Sequence, residues 1–204
     1  MQQSNILQQL GNIDIYLLDQ LMRGRIHSDM KLLDAGCGYG RNSEYFIRNN
    51  YTISGFDKKE ESLKELKNNI PKWNPDFDLN KFKLGSIENP PFQNQQFDFI
   101  ISNAVLHFAK SRKHFIQLFE SMIKLLSTNG ILWIRMCAKH TIESYAQHLE
   151  DDIYSLPDGS TRYLLDLNVL SKLQKKHNLE LLDPFKTLNV SNIRTMSTII
   201  LQKQ

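Results

Sequence analysis

The chain has 204 residues and a net charge of +3, with 41% hydrophobic and 23% charged residues. That length supports one well-buried core and is short for two. The charge is too small to imply a polyanionic partner by itself, and the composition is that of an ordinary soluble globular protein. The two cysteines, Cys37 and Cys137, are far apart and form no C-x-x-C pair, which excludes a disulfide framework or a cysteine-based zinc site.

The N-terminal M-Q-Q-S-N-I-L-Q-Q-L-G lacks a basic segment followed by an apolar one, so no secretory signal is expected. No apolar run approaches the length of a membrane span. The expectation is a soluble, cytoplasmic, single-domain protein with no membrane partner. Residues 12–22 place Ile15, Leu18 and Met22 on one side and predict a helix laid over a sheet. From residue 31 onward, short apolar runs alternate with amphipathic segments, the pattern of a parallel sheet with helices on its faces. Strands are expected at residues 31–35, 52–56, 81–85, 97–102 and 131–137. The run F-D-F-I-I-S is nearly continuous in apolar residues, as for a strand covered on both sides.

Helices are expected between them. Residues 60–70 carry Leu63, Leu66 and Ile70 on one stripe. Residues 113–126 carry Phe115, Phe119, Met122 and Leu126, with Asn129-Gly130 read as a C-terminal cap. Residues 141–161 read as polar and irregular, with a turn at Pro157-Asp158-Gly159. A helix over residues 168–176 and two strands, 180–190 and 195–202, close the chain. The short linker S-N-I-R makes those strands an antiparallel hairpin.

The stretch L-L-D-A-G-C-G-Y-G-R carries three glycines at alternate positions, directly behind the first strand. In open parallel sheets ligands bind outside the carboxyl ends of the strands, and glycine there allows a tight turn and close approach of backbone N–H groups. The spacing is neither the G-x-G-x-x-G of the dinucleotide fold nor the G-x-x-x-x-G-K-[ST] of the P-loop. Asp57, ending the second strand in S-G-F-D-K, can accept hydrogen bonds from both hydroxyls of a ribose. Asp34, ahead of the glycines, suits a ligand carrying an ammonium group. A helix starting near Arg41 would present its N-terminus to the loop.

The ordered motifs D-A-G-C-G-Y-G-R-N, F-D-K, G-S-I-E-N-P-P-F, Q-Q-F-D-F-I-I-S-N-A-V-L-H-F and L-L-S-T-N-G-I-L-W-I-R, over about residues 31–138, resemble class I S-adenosylmethionine-dependent methyltransferases. They are most similar to the small bacterial branch that methylates small molecules. The resemblance implies one doubly wound Rossmann-like α/β domain, with a mostly parallel seven-stranded sheet and an antiparallel C-terminal edge hairpin. Residues 1–30 would form an N-terminal helical cap, 31–138 the cofactor-binding core, and 139–204 a C-terminal helix and closing strands.

The resemblance also implies roles. Gly36, Gly38 and Gly40 would wrap the methionine portion of S-adenosylmethionine, with Asp34 near its ammonium and Arg41 opening the following helix. Asp57 would hold the ribose, and Lys58 would edge the adenine. The family often has an aspartate where this chain has Ser86, so adenine recognition falls to Ser86 and the backbone of Ile87. Asn103 and Ala104 would lie under the methyl-bearing sulfur. His107, with an unperturbed pKa near neutrality, is the candidate general base. Arg135 is a candidate for binding an anionic acceptor, and Arg162, Tyr163 and Arg194 are lesser ones. Cys37 reads as a spacer in the loop, and Tyr39 as its cover. Trp73 and Trp133 read as packing residues. The histidines show no H-x-x-H spacing, so no metal site is expected.

The acceptor is expected to be a small molecule, and the protein a monomer or homodimer. A nucleic-acid partner is not expected, because the fourth strand ends in S-N-A-V rather than N/D-P-P-Y/F and no basic domain is appended. The alternatives are a methyltransferase acting on RNA or protein, and a non-catalytic S-adenosylmethionine-binding protein. An NAD-dependent oxidoreductase stands further behind.

Overall fold

The computed structural model describes residues 6, 8–92 and 96–204. Residues 1–5 and 7, part of the segment expected to carry no secretory signal, and residues 93–95, which include the first glutamine of Q-Q-F-D-F, lie outside the described residues. Two compact units make up the chain, Met1–Ile101 and Ser102–Gln204, with the boundary inside one strand.

The first unit is built on parallel strands. Strands β1 (Lys31–Ala35), β2 (Thr52–Asp57), β3 (Phe82–Leu84) and β4 (Phe97–Asn103) run in the order β4-β1-β2-β3. Pairing places Asp34 opposite Gly55 on one side and Ile101 on the other. Helix α1 (Ile15–Met22) precedes β1 and is capped by Asp14, whose side chain accepts from the Tyr16 N–H. Helix α2 (Ser43–Arg48) links β1 to β2 and is only 6 residues long. Helix α3 (Glu60–Trp73) links β2 to β3, with Glu60 and Glu61 in its first turn complementing the helix dipole. It runs past Pro71, where the sequence predicts an end. A proline in the last turn costs one backbone bond there, and Asn74 N–H still closes on the Ile70 carbonyl at 2.8 Å. Leu63, Leu66 and Ile70 are buried as the periodicity predicts, with Leu32, Leu33, Phe46, Phe56, Phe82 and Phe99 also in this core. Each such side chain contributes about 1.5–3 kcal/mol of burial.

The second unit is dominated by antiparallel pairing. Strand β5 (Leu126–Met136) begins where helix α4 (Arg112–Leu125) stops, so Asn129-Gly130 lies within a strand rather than capping a helix. Leu126 is already extended, and Asn129 takes the left-handed conformation instead. Ser111 caps α4 by accepting from the His114 N–H at 3.0 Å.

The segment expected to be irregular contains a three-stranded antiparallel sheet. It comprises β6 (Gln147–Glu150), β7 (Ile153–Ser155) and β8 (Thr161–Tyr163), with the expected turn at residues 157–159 between the last two. Helix α5 (Leu167–His177), capped by Asp166, follows. The single strand expected at residues 180–190 is two, β9 (Leu179–Leu181) and β10 (Lys186–Val190), which both pair with β11 (Arg194–Lys203). Asp183-Pro184 separates them, since proline cannot donate to a ladder. The β10–β11 hairpin turns through Ser191 and Asn192, both at positive φ, and β11 pairs antiparallel with β5. No helix among the described residues is long and apolar enough to cross a membrane.

Candidate active site

In the first unit the glycine loop leaves β1 with two ladder-like bonds, from Gly36 N–H (2.9 Å) and Cys37 N–H (3.0 Å) to the Phe56 carbonyl. Gly38 and Gly40 both sit at positive φ, where L side chains are strained. They differ in their surroundings. A Cβ on Gly40 would collide with the side chain of Leu66, whereas a Cβ on Gly38 meets nothing within 4 Å. Gly40 is therefore required by packing. Gly38 faces open space, and the backbone surface it leaves bare is available to a ligand.

The Gly38 N–H donates to Asp57 Oδ2 at 2.8 Å, and the Lys59 N–H to Oδ1 at 2.9 Å. Each carboxylate oxygen thus has one backbone donor and retains acceptor capacity for a second. Lys58 is exposed beside it. Asp34 is 2% exposed, and the Ser43 hydroxyl donates to its Oδ2 at 2.7 Å. Burial raises the Asp34 pKa to about 6; the Ser43 bond opposes that rise and the charge of Asp57 adds to it. Arg41 is paired with Asp14 at 3.3 Å, and the Asp14 N–H donates to Asn42 Oδ1 at 3.0 Å, so the start of α1 is tied to the segment behind the loop. Ser86 lies in a turn in which the Asn89 N–H donates to its carbonyl at 3.1 Å, and Ile87 is buried. Cys37 is also buried, and desolvation drives its thiol far above its ordinary pKa, as a spacer requires and a nucleophile does not. Tyr39 is exposed.

In the second unit Ala104 follows β4 at φ +58°, a conformation costing an alanine about 1–2 kcal/mol, and its N–H donates to the Arg135 carbonyl at 2.8 Å. The strained residue opens a short turn, Leu106–Phe108, that carries His107. His107 is 5% exposed, its Nδ1 is 3.5 Å from Cys137 Sγ, and its ring meets Phe108 edge-on at 4.6 Å. Burial, assisted by the Arg162 charge, lowers its pKa to about 4, so the imidazole is neutral at physiological pH. Arg135 is 8% exposed within β5. Arg162 instead lies over the exposed Phe108 ring, 4.7 Å from its centroid. Tyr163 is buried and stacked on Phe115 at 4.7 Å, and Trp133 is buried.

Ser43 and Cys137, the partners of Asp34 and His107, were not singled out as site residues by the sequence. No spacing rule connects them to those partners, since each contact is made by the fold.

The backbone left bare at Gly38 and the acceptor capacity left on Asp57 fit a ligand with a polar chain and a ribose. Residues 26–183 match a family model described as a methyltransferase domain. Ubiquinone biosynthesis O-methyltransferase of Pelagibacter ubique is 29% identical over 161 residues, 75% of this chain and 62% of that protein, so the match spans less than two thirds of the relative's length. An S-adenosylmethionine-dependent methyltransferase from Clostridium acetobutylicum shares the fold at a TM-score of 0.71 and 15% identity, over 99% of this chain and 98% of that one. So does magnesium protoporphyrin IX methyltransferase from Synechocystis with bound S-adenosylmethionine, at a TM-score of 0.70 and 12% identity, over 93% and 77%. A mixed α/β chain with a parallel sheet, an antiparallel edge and this family match belongs to the class I S-adenosylmethionine-dependent methyltransferases.

Proposed function

We propose that this chain transfers a methyl group from S-adenosylmethionine to a small-molecule acceptor. The observation that carries the cofactor assignment is the Gly38–Asp57 hydrogen bond, which fixes the loop while leaving its outer backbone and both Asp57 oxygens able to bind. Gly36, Gly38 and Gly40 receive the methionine portion, Asp57 the ribose, and Lys58, Ser86 and Ile87 the adenine. Asp34 acts on the ammonium through its charge, because its carboxylate is turned to Ser43. Arg41 positions the loop through Asp14. Asn103 and Ala104 are assigned to the sulfonium end on the family resemblance.

When bound, the cofactor supplies an already activated methyl carbon, so the chain has to orient an acceptor rather than build a reactive centre. Orientation of that kind is worth about 7–11 kcal/mol. His107 takes a proton from an acceptor hydroxyl or amine. In the tautomer that carries its proton on Nδ1, toward Cys137 sulfur, the lone pair of Nε2 is the accepting site. Arg135 supports the turn through its carbonyl. A monomer or homodimer in the cytoplasm is the corresponding assignment for the whole protein.

Support for a small acceptor comes from the name of the Pelagibacter relative and from β4 ending in S-N-A-V rather than N/D-P-P-Y/F. Incubation of the protein with methyl-labelled S-adenosylmethionine and separated metabolite, RNA and protein fractions tests it. Label in the metabolite fraction is expected. Label in RNA or protein would overturn the small-molecule assignment.

A further inference from the structure

The second unit places two arginines near Cys137, whose sulfur is 3.5 Å from His107 Nδ1. Arg162 donates to the neighbouring Thr161 carbonyl at 2.8 Å and its guanidinium carbon stands 4.7 Å from the centroid of the Phe108 ring, which is 56% exposed. Arg194 is exposed at the start of β11, two residues before Met196, and so on the same strand face. The Met196 sulfur is 4.0 Å from Cys137 Sγ, and both Arg162 and Arg194 draw the Cys137 thiol downward electrostatically against the desolvation that raises it. Among the described residues, neither guanidinium stands within ion-pair distance of a carboxylate. Asp158 is the acid near both, and it is taken up by the N–H and hydroxyl of Ser160.

Two guanidiniums and one carboxylate leave a surplus of one positive charge, because His107 is neutral. With one N–H on the Thr161 carbonyl, the Arg162 guanidinium keeps its remaining N–H groups for a carboxylate, and the exposed Phe108 ring beside it offers an apolar face. The same surplus opposes a metal cation at the His107, Cys137 and Met196 side chains.

We propose that Arg162 and Arg194 form the receptor for a single negative charge, a carboxylate, on a flat apolar methyl acceptor whose body lies against Phe108. This rests on the methyltransferase assignment above and names the substrate class of that site. It transfers the anion-binding role expected of Arg135 to a half-buried arginine, Arg162, and an exposed one, Arg194. Bound there, the carboxylate offsets the Arg162 charge that adds to burial in keeping His107 neutral, and so strengthens His107 as a base at the moment the acceptor arrives.

The test uses benzoate as probe and benzamide as its neutral counterpart, titrated calorimetrically into the full chain saturated with S-adenosylhomocysteine. The His107 ring signal is followed by NMR in parallel. Benzoate is expected to bind and benzamide not. Arg162→Met and Arg194→Met should each weaken benzoate about tenfold while leaving S-adenosylhomocysteine binding unchanged. The His107 titration should move to higher pH on benzoate binding. Equal binding of both probes, benzoate binding that ignores both substitutions, or no benzoate binding to the S-adenosylhomocysteine complex would overturn the proposal. Failure to bind S-adenosylhomocysteine at all would instead overturn the cofactor assignment beneath it.

Discussion

The Gly38 N–H donates to Asp57 Oδ2 at 2.8 Å, joining the glycine loop of β1 to the acid that ends β2. Asp57 therefore shapes the loop as well as meeting a ligand. Asp57→Asn keeps one carbonyl oxygen but offers an amide where the second backbone N–H now donates. The expected result is a folded protein with S-adenosylhomocysteine affinity reduced about tenfold or more, read by calorimetry. Unchanged affinity would remove Asp57 from the site.

Gly38 and Gly40 differ in what packing demands of them, though the cofactor assignment includes both. Gly40→Ala combines a left-handed alanine with a collision against Leu66 and should cost about 3 kcal/mol in urea unfolding. Gly38→Ala should cost about 1 kcal/mol, because its Cβ enters open space, yet it should weaken cofactor binding more than that stability loss suggests. The reverse order of stabilities would contradict this division.

Asp34 and His107 pull the pH dependence of stability in opposite directions. With the Asp34 pKa raised to about 6 from 3.8, the folded state holds more protons than the unfolded one between those values, so stability falls as pH rises from about 4 to 6. With the His107 pKa lowered to about 4 from 6.5, the folded state holds fewer, and stability rises with pH over nearly the same window. The two slopes largely cancel in the wild type. His107→Gln should expose a decline in stability from pH 4 to 6, and Asp34→Asn a rise from pH 4 to 6.5, in denaturant titrations at each pH.

The parallel strands and the glycine loop were legible in the sequence because each is coded locally, by continuous apolar runs and by glycines where φ is positive. The small sheet β6–β7–β8 was not. Its strands are three or four residues long, β6 is exposed throughout, and its order depends on contacts far along the chain. Asp152 supplies several of them: with 0% side-chain exposure it accepts from Arg112 at 2.6 and 3.0 Å and pairs with Lys139 at 2.8 Å. Likewise Arg162 reads as an ordinary solvated arginine until β8 places it over Phe108.

That anchoring gives a prediction for the insert. Asp152→Ala removes the shared partner of Arg112 and Lys139 and should destabilise by about 3 kcal/mol, with earlier proteolytic cutting within residues 147–163. Arg112→Ala should cost less, since Lys139 still holds the buried carboxylate. Equal resistance of Asp152→Ala and wild type to proteolysis would show that the insert is held by its apolar cluster of Ile142, Tyr154, Leu156 and Leu164 alone.

The cofactor assignment is tested most directly by calorimetric titration of the wild-type protein and of Asp57→Ala with S-adenosylmethionine, beside NAD. One-site binding of S-adenosylmethionine to the wild type, no binding of NAD, and loss of binding in a folded Asp57→Ala variant are predicted. A folded wild-type protein that binds no S-adenosylmethionine, or an Asp57→Ala variant that binds it as well as the wild type, would contradict the account.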